Sequence, residues 1–123
     1  MIKVFILSII LCGTARAEIP DCQAVRVILG EAGNQGKIGM LACADALRNR
    51  GTVKGCYGLN NPIVDKQPAW AWRAARTAWA QSKTNDITFG ASFWGNANDL
   101  KTSKLYNKLH FTVRIKDQWF FKK

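Results

Sequence analysis

The sequence has few side chains that take part in acid–base or metal chemistry. It contains one histidine, His110, and eight acidic residues, of which only Glu18 and Glu31 are glutamates. No two cysteines have a CxxC spacing, and a single histidine gives no imidazole pair, so the sequence predicts no metal site and no cofactor. It also lacks the serine or cysteine motif that a histidine-assisted nucleophile would need. Carboxyl groups are therefore the remaining candidates for catalytic groups.

There is no second long apolar run after the N-terminal one. Lys3 precedes the apolar stretch Val4–Cys12, and Ala15-Arg16-Ala17 has the small-x-small form of a signal-peptidase site. We expect a signal peptide over residues 1–17, cleaved after Ala17, and a single domain over residues 18–123. The stretch is too short for a permanent membrane span, although an uncleaved anchor is the alternative. The protein is then secreted or periplasmic.

Acidic residues are far outnumbered by basic ones. The formal net charge is +10, and removal of Lys3 and Arg16 with the signal peptide leaves +8. A small, basic, exported protein is expected to meet an anionic polymer, such as bacterial cell wall, nucleic acid or an anionic membrane. Lysine and arginine are scattered and no nucleic-acid-binding module appears, so nucleic acid is the weakest of these partners. We expect a monomer.

The sequence pattern of Val25–Arg50 predicts a helix, a glycine-containing turn and a second helix. Ala24, Val27 and Ile28 form an apolar stripe at helical spacing, and Glu31 falls on the same stripe. The carboxyl group of Glu31 therefore points where core side chains point. The pattern predicts that this helix ends near Gly33.

A second acidic side chain lies on an apolar stripe in the next helix, predicted over about Lys37–Arg50. Asp45 is seven residues after Ile38, so the two share the predicted inner face. A carboxylate there needs a partner or a function. Asp45 is either a structural partner, for Arg48, Arg50 or a backbone amide, or a second acid beside Glu31.

The rest of the chain predicts an α+β domain with about three helices and a small C-terminal antiparallel β-hairpin or sheet. After a loop at Thr52–Lys66 we expect a third helix at Pro68–Ser82, an irregular strand at Ile87–Asn96 and an exposed loop at Asn98–Asn107. Two hairpin strands are expected to follow, at Phe111–Ile115 and Gln118–Phe121.

Three cysteines remain after the signal peptide, so at least one is free. Cys43 lies within an apolar helical pattern, where a thiol acts as a small hydrophobic group. Cys22 begins the first helix and Cys56 follows the second. If those helices run antiparallel, the two ends meet, and a Cys22–Cys56 disulfide is favoured.

The chemistry open to Glu31 depends on its surroundings. Removal from water raises the pKa of a carboxyl group, and a protonated carboxyl group can protonate a glycosidic oxygen. The structural alternative is a glutamate paired with Arg48 or Arg50. Asp45 is the best-placed second carboxylate for a two-acid glycosidase.

Several motifs resemble the SleB-type cell wall hydrolases, the spore-cortex-lytic-enzyme family, and in particular a phage-like branch of it. They are Gly30-Glu31-Ala32 at a helix end, Gly36 in the turn, and Asn49-Arg50 at the end of the next helix. Their order and spacing, Glu31-x4-Gly36-x12-Asn49-Arg50, carry most of the resemblance. Similar segments extend over about Cys22–Lys122.

The resemblance implies a lysozyme-like fold that cleaves peptidoglycan between N-acetylmuramic acid and N-acetylglucosamine, as a lytic transglycosylase or a muramidase. It places Glu31 as the catalytic acid. The groove residues that it suggests for substrate binding are Asp45, Asn49, Arg50, Trp94 and Asn96.

Two positions depart from the family pattern. Relatives often carry a tyrosine or histidine, and another polar side chain nearby, where this chain has Phe93 and Gly95. Phe93 cannot donate a hydrogen bond to a sugar. These departures favour the alternative of a non-catalytic cell-wall-binding protein that has kept the fold.

Overall fold

The structure is a computed structural model that describes residues 18–123, so the predicted signal peptide at 1–17 lies outside the described residues. Helices α1, α2 and α3 are followed by strand β1, the short helix α4 and strands β2 and β3. Single 3-10 turns lie at Tyr57–Asn60, Pro62–Lys66 and Lys104–Lys108. The bounds of the seven main elements, in the same order, are Asp21–Ala32, Gly36–Arg50, Ala69–Gln81, Phe93–Gly95, Ala97–Thr102, His110–Ile115 and Gln118–Lys122.

The three long helices begin and end where the sequence predicts. Pro20 precedes α1, and Asp21 places a negative charge in its first turn, where the helix dipole favours it. Gly51 ends α2 in the left-handed conformation, with φ 77°, and its N–H donates to Leu47 O. Within residues 18–123, no helix is long and apolar enough to cross a lipid bilayer.

The core lies where α1, α2 and α3 pack against one another. Val27, Ile28 and Leu47 are fully buried, and small alanines on all three helices let the helices approach closely. One predicted core position is wrong. Ile38 is 46% exposed, because the buried face of α2 is centred on Met40, Cys43 and Leu47, not on Ile38.

The C-terminal hairpin is confirmed and belongs to a three-stranded antiparallel sheet. Strand β3 lies in the middle, between β2 and the short β1, and Lys116-Asp117 forms the turn between β2 and β3. Phe120 of β3 is fully buried and pairs with Trp94 of β1. The α+β expectation is thereby confirmed.

Two segments differ from the sequence-based prediction. Only Phe93–Gly95 of the predicted strand Ile87–Asn96 is extended in a sheet. The predicted loop Asn98–Asn107 is instead largely helical, with α4 followed by a 3-10 turn. Asn96 and Asp99 form a reciprocal capping box that starts α4, which explains how a polar sequence without an apolar stripe becomes helical.

The predicted Cys22–Cys56 disulfide is wrong. All three cysteines among the described residues are free. Cys56 lies beside Glu31, whereas Cys22 is nine residues earlier in α1, which corresponds to about 13 Å along a helix axis. Bridged cysteines need Cα atoms within about 7 Å. The segment after α2 turns back along α1 towards Glu31, so Cys56 does not stay at the end where α2 finishes.

Candidate active site

Glu31 lies in the last turn of α1, on the same face as buried core residues. Ala24, Val27 and Ile28 are completely buried, and Glu31 follows them in helical phase but is only half-buried. The helix ends two residues later at Gly33, so the carboxyl group lies at the edge of the core. The predicted orientation of Glu31 is confirmed.

Two glycines bring the 3-10 turn at Tyr57–Asn60 onto α1 beside Glu31. A Cβ atom on Gly30 would collide with the backbone of Gly58, and one on Gly58 would lie 2.8 Å from Val27 O and 3.1 Å from Glu31 Cγ. Only glycine permits backbones to approach this closely. As a result, Gly58 N–H donates a 2.8 Å hydrogen bond to Glu31 Oε2.

The second carboxyl oxygen of Glu31 accepts a hydrogen bond from a residue of the sheet. Trp94, a nearly buried residue of β1, donates its indole N–H to Glu31 Oε1 at 3.2 Å. The main-chain oxygen of Glu31 also accepts a 2.8 Å hydrogen bond from the Gln118 side chain. Each carboxyl oxygen therefore has one protein donor and keeps a lone pair for a further partner.

Two open cavities meet at Glu31, which lines both of them. The first has a volume of about 340 Å³ and the second about 420 Å³. A ligand longer than either cavity can therefore lie across the carboxyl group of Glu31. The first cavity is lined by Arg50, Cys56, Tyr57, Phe93, Trp94 and Tyr106, among others, and the second by residues that include Gly33, Gln35, Asn61, Ile63, Asn96 and Gln118.

Three of the residues predicted for the groove reach these cavities together with Glu31. Arg50 and Trp94 line the first, and the Arg50 guanidinium lies 5.9 Å from the Trp94 ring centroid and 5.5 Å from that of Phe93. These distances allow cation–π attraction that holds Arg50 over the aromatic wall. Asn96 lines the second cavity, and its side-chain oxygen caps α4.

The other two predicted residues lie outside both cavities. Asn49 donates from its amide group to Asp86 Oδ2 at 3.0 Å and to Ala91 O at 2.9 Å. It therefore fixes the loop that leads into β1. In this position Asn49 supports the groove without lining it.

Asp45 is buried beneath that same loop. Only 1% of its surface is exposed, and Oδ2 accepts a 2.9 Å hydrogen bond from Ile87 N–H. Its other oxygen has no hydrogen-bond partner among the described residues. Burial raises the pKa of Asp45 to about 6, and the nearby Asp86 adds to the rise. The contact with a backbone amide corresponds to the structural alternative, and the structure does not bring Asp45 to Glu31.

Tyr106 is a groove residue that the sequence did not reveal. A Cβ atom on Gly95 would lie 2.8 Å from Tyr106 Cζ and would collide with the hydroxyl group, so the tyrosine fills the space over Gly95. The hydroxyl donates a 2.7 Å hydrogen bond to Trp94 O. Burial raises the pKa of Tyr106 to about 12, and the Asp99 and Glu31 carboxylates contribute. The feature of the sequence that could have revealed Tyr106 is the presence of a tyrosine within the polar segment Asn98–Asn107.

The fold and groove together describe an α+β domain with one carboxyl group fixed between two cavities. No protein-family model matches the sequence. No curated protein matches it either.

Two solved catalytic domains are similar in structure. That of the germination-specific lytic transglycosylase SleB from Bacillus anthracis is 24% identical, with a TM-score of 0.61, and the match covers 83% of this chain and 93% of that domain. The catalytic domain of the Bacillus cereus SleB protein is 23% identical, with a TM-score of 0.59, and the match covers 89% and 100%. The chain therefore has the fold of the SleB catalytic domains.

Proposed function

We propose that this protein is an exported enzyme that cleaves the glycan strands of peptidoglycan between N-acetylmuramic acid and N-acetylglucosamine, with Glu31 as the catalytic acid. The observation that carries the proposal is the fixed carboxyl group at the junction of two cavities. A sugar polymer bound in both cavities has a glycosidic bond beside Glu31. The fold shared with two SleB catalytic domains, one of them from a protein described as a lytic transglycosylase, supports this activity.

In the proposed reaction Glu31 acts first as an acid and then as a base. Its proton passes to the glycosidic oxygen as the bond from that oxygen to C1 of the muramyl residue breaks. The 6-hydroxyl of the same muramyl residue then forms a bond to C1 and gives its proton to the Glu31 carboxylate. The products are a 1,6-anhydromuramyl end and a free 4-hydroxyl end, and no water is consumed.

The surroundings of Glu31 favour this intramolecular route over hydrolysis. A hydrolase usually needs a second carboxylate that activates water or forms a covalent intermediate. Asp45 is buried at Ile87, and Asp99, which lines the first cavity, is held by the capping box with Asn96. Asp117, in the hairpin turn, is exposed and lines the second cavity. None of these three carboxylates has a hydrogen bond that would hold it facing Glu31.

Trp94, Arg50 and Asn96 have separate roles in the proposal. The Trp94 indole holds Glu31 in place and forms part of the wall of the first cavity. Arg50, stacked over that wall, presents hydrogen-bond donors to sugar oxygens. Asn96 lines the second cavity on the opposite side of Glu31. The excess positive charge draws the enzyme to the anionic wall, so binding weakens as the salt concentration rises.

The test is mass spectrometry of purified peptidoglycan after digestion, with the wild-type protein, Glu31→Gln and the control Asp65→Asn. Asp65 is exposed, is paired with Arg26 and lines neither cavity. We expect anhydromuropeptides from wild type and control and none from Glu31→Gln, with all three proteins folded as judged by circular dichroism. Unchanged lysis by Glu31→Gln would overturn the assignment. Reducing ends would indicate a muramidase.

The second candidate is a cell-wall-binding protein without catalytic activity, which Phe93 and Gly95 favour. It predicts retention on purified sacculi with no released muropeptides from the wild-type protein. The presence of Tyr106 over Gly95 bears on this alternative, because it supplies the groove with a hydroxyl-bearing side chain that position 93 lacks.

A further inference from the structure

A third cavity, of about 400 Å³, lies between α3 and the start of α2 and does not include Glu31. Its side chains come mainly from one face of α3, because Trp70, Arg73, Thr77 and Gln81 follow one another at spacings of three and four residues. Lys37 closes the cavity from α2. The opposite face of α3 is buried in the core, so this face is free for a ligand.

Trp70 is unusual among the tryptophans of the helices and of the site. It is 60% exposed, whereas Trp79 and Trp94 are almost completely buried. A large aromatic ring in water at the mouth of a cavity offers a flat apolar surface for a ligand. The packing of α3 does not require this exposure, since Ala71, Ala75 and Ala78 already form its buried face.

The cavity carries positive charge without a carboxylate of its own. Lys37 and Arg73 line it, and no aspartate or glutamate does. The ion pairs within residues 18–123 are Arg26–Asp65 and Arg48–Glu18, so neither of these two cations is neutralised there by a side chain. Two cations on one small surface attract a carboxylate, and a guanidinium can bind one with two parallel hydrogen bonds.

The third cavity lies close to the second, because residues near to each other along the chain line the two. Gln35 lines the second cavity and Lys37 the third, while Gln67 lines the second and Trp70 the third. Because successive Cα atoms lie about 3.8 Å apart, Lys37 is within about 8 Å of Gln35 and Trp70 within about 11 Å of Gln67. A side branch of a strand bound at Glu31 can therefore reach the third cavity.

We infer that the third cavity binds the carboxylate-bearing peptide branch that muramyl residues carry, on the same glycan strand that occupies the groove at Glu31. Lys37 and Arg73 bind a carboxylate of the peptide, and Trp70 packs against its apolar atoms. The branch is covalently attached to a strand that is already bound, which raises its effective concentration at the cavity. This inference rests on the proposed function, because peptidoglycan is the polymer that carries such a branch.

The experiment compares cleavage of two substrates, glycan strands with intact peptides and the same strands after an amidase has removed the peptides. The variants are Lys37→Ala combined with Arg73→Ala, and Trp70→Ala alone. The control, Arg76→Ala combined with Lys83→Ala, removes the same charge from exposed positions that do not line the cavity. For the cavity variants we expect the KM for peptide-bearing strands to rise about tenfold, with kcat and the KM for stripped strands unchanged.

A second measurement separates this inference from the proposed catalysis. The Glu31→Gln protein, with and without the cavity substitutions, is titrated with both kinds of strand. Tighter binding of peptide-bearing strands that disappears with the cavity substitutions supports the inference, even if the wild-type protein cleaves neither substrate. Equal losses for both strands, or equal losses in the control variant, would overturn it.

Discussion

The side chain of Tyr106 occupies the space over Gly95, and its hydroxyl donates to the carbonyl of Trp94, the residue whose indole holds Glu31. Gly95 and Tyr106 are thus a packing pair, in which the tyrosine ring fills the space that a side chain at position 95 would occupy. The pair accounts for glycine at position 95, because a larger side chain there would collide with Tyr106. The groove receives its hydroxyl-bearing side chain from the 3-10 turn at Lys104–Lys108 and not from β1.

A methyl group at position 95 is expected to displace Tyr106 from the groove. Gly95→Ala should lower the free energy of unfolding by about 1–3 kcal/mol through overpacking, and should reduce lytic activity. Tyr106→Ala removes the obstacle, so the double variant should be more stable than the sum of the two single effects predicts. Urea unfolding of all four proteins measures this coupling. Additive effects would show that the two residues do not compete for the same space.

Because Gly30 contacts Gly58, replacing Gly30 by alanine should change the free energy of unfolding in the direction opposite to that usual for a helix. Gly→Ala inside a helix normally stabilises a protein by about 0.5–1 kcal/mol. Gly30→Ala should instead destabilise this one by about 3 kcal/mol or more, because the added Cβ meets backbone that cannot rotate away. Gly36→Ala is the control, since Gly36 has φ 71° and open space around it, and should cost about 1–2 kcal/mol. A stabilised Gly30→Ala protein would contradict the packing described.

Loss of the Trp94 indole N–H tests whether the fixed carboxyl group matters for activity. Trp94→Phe keeps an aromatic ring but removes the donor to Glu31 Oε1, so kcat should fall by about tenfold or more as the carboxyl group loses its position. Trp119→Phe is the control, because Trp119 packs under Arg114 and lines neither cavity at Glu31. The readout is the rate of muropeptide release at saturating peptidoglycan. If Trp94→Phe and Trp119→Phe lowered the rate of muropeptide release equally, the effect would come from reduced stability and not from the lost hydrogen bond to Glu31.

Asp45 gives the protein a stability component that decreases as the pH rises. Its folded-state pKa of about 6 exceeds the ordinary value of 3.8, so the folded protein holds the proton more tightly than the unfolded chain. Between pH 4 and pH 8, the free energy of unfolding of wild type relative to Asp45→Asn should fall by about 2–3 kcal/mol.

Urea unfolding at several pH values checks the prediction for Asp45. Asp65→Asn serves as the control of opposite sign, because pairing with Arg26 lowers the pKa of Asp65, and stability gained from its ionised form is lost as the pH falls. A pH-independent difference between wild type and Asp45→Asn would show that the buried carboxyl group does not titrate in this range.

Helical phase and glycine positions were sufficient to predict α1, α2 and α3 and the inward orientation of Glu31. They depend on local sequence, as does the hairpin with its two-residue turn. Helical phase was less reliable at the first turn of α2, where Ile38 is exposed because the buried face of the helix is centred on Met40, Cys43 and Leu47. The helix α4 was missed because its start depends on a capping box and not on an apolar stripe.

The candidate site was predictable only in part, since much of it depends on the path of the chain between elements. Glu31, Arg50, Trp94 and Asn96 could be proposed from the family resemblance. Gly58 and Tyr106 could not, because each reaches Glu31 or Trp94 through a tertiary contact that no local pattern encodes. The same reasoning failed for Cys56, whose loop turns back along α1.

The contact between Gly30 and Gly58 also bears on how far such a domain can diverge. One hydrogen bond to the Glu31 carboxylate comes from a backbone amide, and the turn that supplies it is seated by main-chain contact. Mutations at the surrounding side chains leave this arrangement in place as long as both glycines remain. A search for distant homologues should therefore weight this glycine pair and its glutamate above residues such as Asn61 and Ile63, which line the second cavity without a hydrogen bond to the carboxyl group.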